Sequence, residues 1–136
     1  MNRFVLQRAG VDLPLLPTTT VGSLPKPPEL AAARTRFACG ELSQRDLDAR
    51  AEEAVASWVQ RQEELGLDVL VDGEMYRGDM VAYFAEALDG MRLGGLVRSY
   101  GNRYYHKPVI HGEVRWEQPI TPRAGGALRK ALLTGR

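Results

Sequence analysis

The sequence predicts an α/β fold in which parallel strands alternate with helices. Three short runs with strand character, at residues 18–21, 67–74 and 107–116, carry this prediction, and helical patterns lie between them. The middle run has a continuous apolar core, which is typical of a strand in a parallel sheet covered on both faces. An alternation of this kind forms either an open doubly wound sheet or part of a barrel.

The first strand and the first helix begin the alternation. Residues 18–21 are β-branched and are followed by Gly22, which predicts a short strand that ends in a loop. Pro28 suits the first turn of a helix, and Gly40 suits its C-terminal stop. The sequence therefore predicts a helix over residues 29–40.

A longer second helix is predicted up to Gly66. Ser43 is a suitable N-cap, and Asp46 three residues later completes an approximate capping box. The side chains that repeat at helical spacing predict the face that packs on the sheet. They are Leu47, Ala51, Ala54, Val55, Trp58, Val59 and Gln62.

The alternation then repeats. Residues 67–74, LDVLVDGE, predict the second strand, and Asp79 caps an amphipathic helix that closes near Gly90. Residues 94–103 have a turn-rich composition, and residues 107–116 predict a third strand.

Composition and charge bound the class of protein. The 136 residues are 44% hydrophobic with a formal charge of +1, which predicts one soluble domain without the basic excess of a nucleic-acid-binding protein. We treat 1–136 as a single partial domain, with 1–15 as a lead-in and 122–136 as an atypical tail. The lead-in is too polar for a signal peptide or a membrane helix, and the lone Cys39 fits a reducing compartment, so we expect a cytoplasmic protein.

Polar side chains stand where the predicted strands end. Ser23 follows the first strand, Asp72 and Glu74 follow the second, and His111 and Glu113 lie in the third. Ligands of parallel α/β folds bind beyond the carboxyl ends of the strands, so these side chains are candidates for a binding site. A helix cap or a loop anchor is the alternative for the two acids after the second strand. The histidine and its neighbouring acid form only a weak metal pattern.

Four sequence blocks, found in the expected order, carry a resemblance to a known family. They are PTTTVGSLPKPPEL, QEELGLDVLVDGEMYRGDMVAYF, SYGNRYYHKPVIHGEV and QPIT. The chain resembles the carboxy-terminal catalytic half of cobalamin-independent methionine synthase, over residues 16–121. The resemblance implies a TIM-type (β/α)8 barrel that binds homocysteine, activates its sulfur on zinc and transfers a methyl group to make methionine.

The resemblance also implies roles for individual residues. Val21, Gly22 and Ser23 match the segment that holds the carboxylate of the amino acid, and Glu74 matches the acid that binds its ammonium group. Arg103 matches an arginine on the methyl-donor side. The chain looks more like the short relatives of the family, for which the donor is either a folate or a methyl-corrinoid. Asp72 stands where the long form has histidine.

A full barrel takes about 250 residues, so this chain corresponds to the first half of one. The family's zinc ligands are a histidine, two cysteines and a glutamate in later strands, and we therefore predict no intrinsic zinc site. Zinc would bind only if ligands came from elsewhere. An open half-barrel exposes strand edges, which predicts a homodimer or a complex with a complementing half-barrel. A non-catalytic remnant that dimerises or binds an amino acid is the alternative to an enzyme.

Overall fold

Three helices and one β-hairpin are the regular elements of the computed structural model, which describes residues 10, 12–99, 101–121 and 126–129. The elements are α1 (Pro28–Ala38), α2 (Gln44–Glu64), α3 (Met80–Glu86), β1 (Asp89–Arg98) and β2 (Tyr104–Arg115). Most of the predicted lead-in and tail, together with Tyr100, lies outside the described residues. None of the described helices is both long and apolar enough to cross a membrane.

The helix-terminal residues read from the sequence act as predicted. The Ser43 hydroxyl accepts a hydrogen bond from the Asp46 backbone N–H at 3.1 Å, at the start of α2. The Asp79 carboxylate accepts one from the Ala82 N–H at 2.7 Å, at the start of α3. α3 is shorter than predicted, because it ends at Glu86 and the chain then enters β1.

The first two predicted strands meet at one isolated parallel β-bridge, between Thr19 and Val69, and neither forms a regular strand in the described part of the chain. With its helices and its β-hairpin, the chain is of the α/β class. The pairing is too short to form a regular sheet among the described residues. Val69 is 38% exposed, so the described residues do not cover this segment on both faces as expected.

The third predicted strand belongs to an antiparallel hairpin, and the expectation of a third parallel strand was wrong. β2 pairs with β1, which includes residues 94–98 of the segment predicted to be turns. The pairing register changes between Asp89 and Met91, at Gly90. A Cβ atom at Gly90 would lie 2.2 Å from the Glu113 carbonyl oxygen, so only glycine fits this close approach of the strands.

The apolar core lies between α1, α2 and the segment that follows residue 69. Leu30, Val55, Val59 and Met75 are the largest fully buried side chains, and Trp58 packs against them. The buried face of α2 is the predicted one, but it packs on α1 and on the segment that contains Met75, and not on the described strands. Residues 126–129 are helical, and Ala127 joins the same cluster; the rest of the helix predicted over 127–133 lies outside the described residues.

Candidate functional site

Two loops come together at the predicted site. The loop that contains Ser23 and the loop that contains Glu74 are joined by a backbone hydrogen bond from Leu24 N to Gly73 O at 3.1 Å. The parallel bridge of Thr19 with Val69 aligns the segments that lead into them. The sequence therefore correctly predicted that the ends of these two segments are neighbours.

A buried glutamine fixes the position of the second segment. Gln62 of α2 is 2% exposed, and its side-chain amide pairs with the backbone of Val71 in both directions. Gln62 Nε2 donates to Val71 O at 2.9 Å, and Val71 N donates to Gln62 Oε1 at 3.0 Å. The amide takes the place of a neighbouring strand, because it supplies one donor and one acceptor to the extended backbone.

Asp72 shapes the turn that presents Glu74. Its carboxylate accepts a hydrogen bond from the Glu74 backbone N–H at 3.0 Å, as in an Asx turn. The alternative of a loop anchor therefore describes Asp72 well. Met75, directly after the turn, is fully buried and holds the loop against the core.

Glu74 has an unusual backbone conformation. Its φ is +60°, and it is the only residue other than glycine with positive φ among the described parts of the chain. Gly73 precedes it with φ +61°, and a Cβ atom there would lie 2.9 Å from the Leu24 side chain. The close contact of the two loops thus depends on Gly73. A left-handed conformation is unfavourable for glutamate and is often found at functional sites.

Cations surround Glu74 and Ser23. Arg77 Nη2 lies 3.6 Å from Glu74 Oε1, in a pair whose side chains are 20% and 25% exposed. Lys26 Nζ donates a hydrogen bond to Ser23 Oγ at 3.1 Å. Partial burial lowers the pKa of the Lys26 ammonium, Arg34 and Arg77 lower it further by repulsion, and Glu74 opposes them by attraction.

Arg34 joins this group from α1. Its Nη2 donates to the Met75 carbonyl oxygen at 2.7 Å, whereas its buried Nε has no hydrogen-bond partner. Burial lowers the pKa of its guanidinium group. Arg34 therefore ties α1 to the Glu74 loop and adds positive charge to the site.

The other predicted site residues lie at the first loop and at the turn of the hairpin. Val21 is 95% exposed, and Gly22 and Ser23 are also exposed at the first loop. Arg103 lies at the turn of the hairpin, where its carbonyl oxygen accepts from Ser99 N at 2.9 Å. Among the described helices, the hairpin contacts α3 and not α1 or α2. The described contacts therefore do not bring Arg103 to the Ser23 and Glu74 loops.

Sequence reasoning missed three cations of the site. Lys26 and Arg77 each stand three residues after a predicted ligand-binding residue, and Arg34 comes from the first helix. Spacing of three residues within a turn brings side chains together, so this signal was available for the first two. No local pattern points to Arg34, because its contact with Met75 spans 41 residues.

The described residues do not fit zinc. No group of three histidine, cysteine or acidic side chains lies close enough together in the described ranges to hold a metal ion. Cys39 is exposed at the end of α1, and Glu113 is exposed and paired with Arg115. Zinc prefers three or four thiolate, imidazole or carboxylate ligands, and these side chains do not supply such a set.

A cleft of about 850 Å³ borders the charged site, because Arg34 and Tyr76 line it. It is lined by side chains of all three helices and by residues 117–120, and neither Ser23 nor Glu74 lines it. We assign the functional site to the two loops, because an ionic ligand needs charged partners in a fixed arrangement. The size of the cleft alone indicates no particular ligand.

These features define an α/β domain with a charged site where two adjacent parallel segments end, an arrangement typical of enzymes that bind small polar ligands. The model of the family "Cobalamin-independent synthase, Catalytic domain" matches residues 16–132, and the chain belongs to this family. The resemblance found in the sequence is thereby confirmed.

Individual relatives support the same family. A 5-methyltetrahydropteroyltriglutamate-homocysteine methyltransferase of Haemophilus influenzae (strain PittEE) is 50% identical over 98% of this chain and 19% of the relative. The protein with the same description from Thermotoga sp. (strain RQ2) is 45% identical over 85% of this chain and 16% of the relative. The chain thus spans about a fifth of the length of the curated relatives it matches.

A solved structure shows the same fold. It is a B12-independent methionine synthase from Shewanella sp. W3-18-1 in complex with selenomethionine. The TM-score is 0.67 and the identity is 31%, over 86% of this chain and 35% of that chain.

Proposed function

We propose that this chain provides the amino-acid-binding part of an enzyme that transfers a methyl group to homocysteine and forms methionine. One observation carries the proposal: the Leu24 to Gly73 hydrogen bond joins the Ser23 loop to the Glu74 loop, so that a hydroxyl and a carboxylate meet at one charged site. The names of the curated relatives and the selenomethionine bound by the Shewanella protein support it.

The two side chains suit the two charged ends of an amino acid. Glu74 offers a carboxylate to the ammonium group, and Ser23, with the backbone of Val21 and Gly22, offers donors to the ligand's carboxylate. The thiol would then face the methyl donor. In the transfer, sulfur bonds to the methyl carbon, the bond from that carbon to the donor breaks with its electron pair left on the donor atom, and the thiol proton passes to that atom. Ser23 and Glu74 bind and orient the amino acid and take no part in bond formation.

We propose a folate as the methyl donor, rather than a corrinoid, because the curated relatives are named for a pteroyltriglutamate. Arg103 is our candidate for the donor side, since a guanidinium binds the carboxylates of a polyglutamate well. Zinc would take part in this reaction only if residues outside the described ranges supplied its ligands. A cytoplasmic location stays a prediction from the lone Cys39.

We also propose that the parallel segments belong to the first half of a (β/α)8 barrel. Val21 and Val69 are 95% and 38% exposed, and an incomplete parallel pair leaves backbone groups that further strands can cover. A second copy of this chain or a complementing half-barrel would supply that cover. The methyl transfer is expected of the completed assembly.

Replacement of Glu74 by glutamine tests the binding role. The variant keeps the shape of the side chain but loses its charge, and we expect methionine and homocysteine to bind more weakly by about 1.5–3 kcal/mol. Glu113→Gln is the matched control, because Glu113 is exposed on the hairpin. Titrations followed by NMR would measure both affinities. Equal affinity in Glu74→Gln and the unmodified chain would contradict the proposed role.

A further inference from the structure

The charges around Glu74 do not cancel. Arg77 Nη2 lies 3.6 Å from Glu74 Oε1, and Lys26 is close enough to interact electrostatically with Arg34, Glu74 and Arg77. The turn also contains the Asp72 carboxylate, so three cations stand against two carboxylates. Lys26, Arg34 and Glu74 are all partly buried, so water screens their charges less than at an open surface. A partly buried group with excess positive charge favours the binding of an anion.

The hydrogen bond between Lys26 and Ser23 places this anion. Lys26 Nζ is the donor to Ser23 Oγ at 3.1 Å, so the serine oxygen acts as an acceptor and keeps its own hydrogen available. That hydrogen is directed at the Leu24 carbonyl oxygen over a long distance of 3.4 Å. A carboxylate next to Ser23 could therefore accept from the hydroxyl and from the ammonium group together.

We propose that Lys26 is a ligand-binding residue that holds the carboxylate of the amino acid in partnership with Ser23. This inference deepens the proposed function and rests on it. Glu74 then binds the ammonium end and Lys26 the carboxylate end, so the site selects zwitterionic α-amino acids over simple amines. A charge-assisted hydrogen bond from Lys26 is stronger than a bond from a neutral donor. Loss of Lys26 should therefore weaken only the binding of the ligand's carboxylate group.

Two ligands and four variants, Lys26→Met, Lys26→Arg, Glu74→Gln and Lys107→Met, test this assignment. Methionine carries both charged groups, and 3-(methylthio)propylamine lacks only the carboxylate. Both are titrated by NMR into the unmodified full-length chain and into each variant, and Lys107→Met is a matched control because Lys107 is exposed on the hairpin. Circular dichroism and urea unfolding of each variant verify that it is folded.

We expect Lys26→Met to weaken methionine binding by tenfold or more and to leave binding of the amine within twofold. Glu74→Gln should weaken both ligands, and Lys26→Arg should restore most of the methionine affinity. If Lys26→Met binds methionine like the unmodified chain while Glu74→Gln does not, the role of Lys26 is refuted and the proposed function stands. If it weakens both ligands equally, Lys26 acts through the structure of the site, which also refutes the role. If the unmodified chain binds neither ligand, both proposals fail.

Discussion

At the scale of single residues, Glu74 combines an unfavourable backbone with a position in a charged site. Its φ of +60° lies in the left-handed region, where a glycine would be more stable. The turn that imposes this conformation is held by Asp72 on one side and by the buried Met75 on the other. A binding role for the carboxylate would explain why a glutamate, and not a glycine, occupies this position.

The strain at Glu74 predicts an inverted order of stability for two small substitutions. Both Glu74→Gly and Glu74→Ala remove the carboxylate, but only alanine keeps a Cβ atom in the left-handed conformation. We expect Glu74→Gly to be more stable than Glu74→Ala by about 1 kcal/mol, measured by urea unfolding.

The matched pair for this prediction lies on α2. Glu53 is an exposed residue in the middle of the helix, and there Glu53→Gly should be less stable than Glu53→Ala by about 1 kcal/mol. The same order at both positions would show that the Glu74 backbone is not left-handed in solution.

At the scale of elements, a side chain of α2 makes backbone hydrogen bonds that a neighbouring strand would make in a sheet. The parallel pairing between residues 18–21 and 67–71 is limited to the bridge of Thr19 and Val69. Gln62 supplies the missing donor and acceptor to Val71, and Trp58 Nε1 donates to the Pro25 carbonyl oxygen at 3.0 Å. α2 thus anchors both loops of the site through side-chain hydrogen bonds.

Loss of the Gln62 amide should destabilise the chain. Gln62→Leu leaves the N–H and C=O groups of Val71 without these partners, so we expect the free energy of unfolding to fall by about 1–3 kcal/mol. Gln60→Leu on the same helix is the control, because Gln60 is exposed and its change should stay within about 0.5 kcal/mol. Urea unfolding measures both, and similar stabilities of the two variants would argue against the anchoring role.

At the scale of the whole molecule, the chain presents apolar side chains to solvent on the parallel segments and on the hairpin. Val21, Leu96 and Trp116 are 95%, 61% and 70% exposed. Exposed apolar surface next to incomplete strand pairing commonly marks a surface that contacts another chain. This observation supports the proposed association.

We predict a homodimer in solution, formed through the parallel segments. Light scattering should give a mass near twice the 15.1 kDa of one chain. Val69→Lys should lower that mass toward a single chain, because it places a charge beside the incomplete strand pairing. Leu96→Lys, a control on the hairpin, should leave it unchanged. A monomer at all concentrations, or dissociation only with Leu96→Lys, would contradict this interface.

Much of the local structure was predictable, and the hairpin was not. The caps at Ser43 and Asp79 each depend on a contact three residues away, so a short sequence window contains all the information. The third strand was assigned to a parallel sheet because its apolar pattern indicates a strand but not its partner or its direction. The first residues of β1 were assigned to the end of the preceding helix and residues 94–98 to turns, because the glycines and polar residues hide the strand.

The sequence by itself determined the family, the class of fold and the helices with their caps, because motifs and caps are properties of neighbouring residues; a binding role for Ser23 and Glu74 stays a prediction from it. Only the tertiary structure decided that Gln62 pairs with Val71, that Glu74 is left-handed and that Lys26, Arg34 and Arg77 gather around it. These features depend on burial and on contacts between distant segments, and the energy of a charge or a hydrogen bond depends on which groups the fold places beside it.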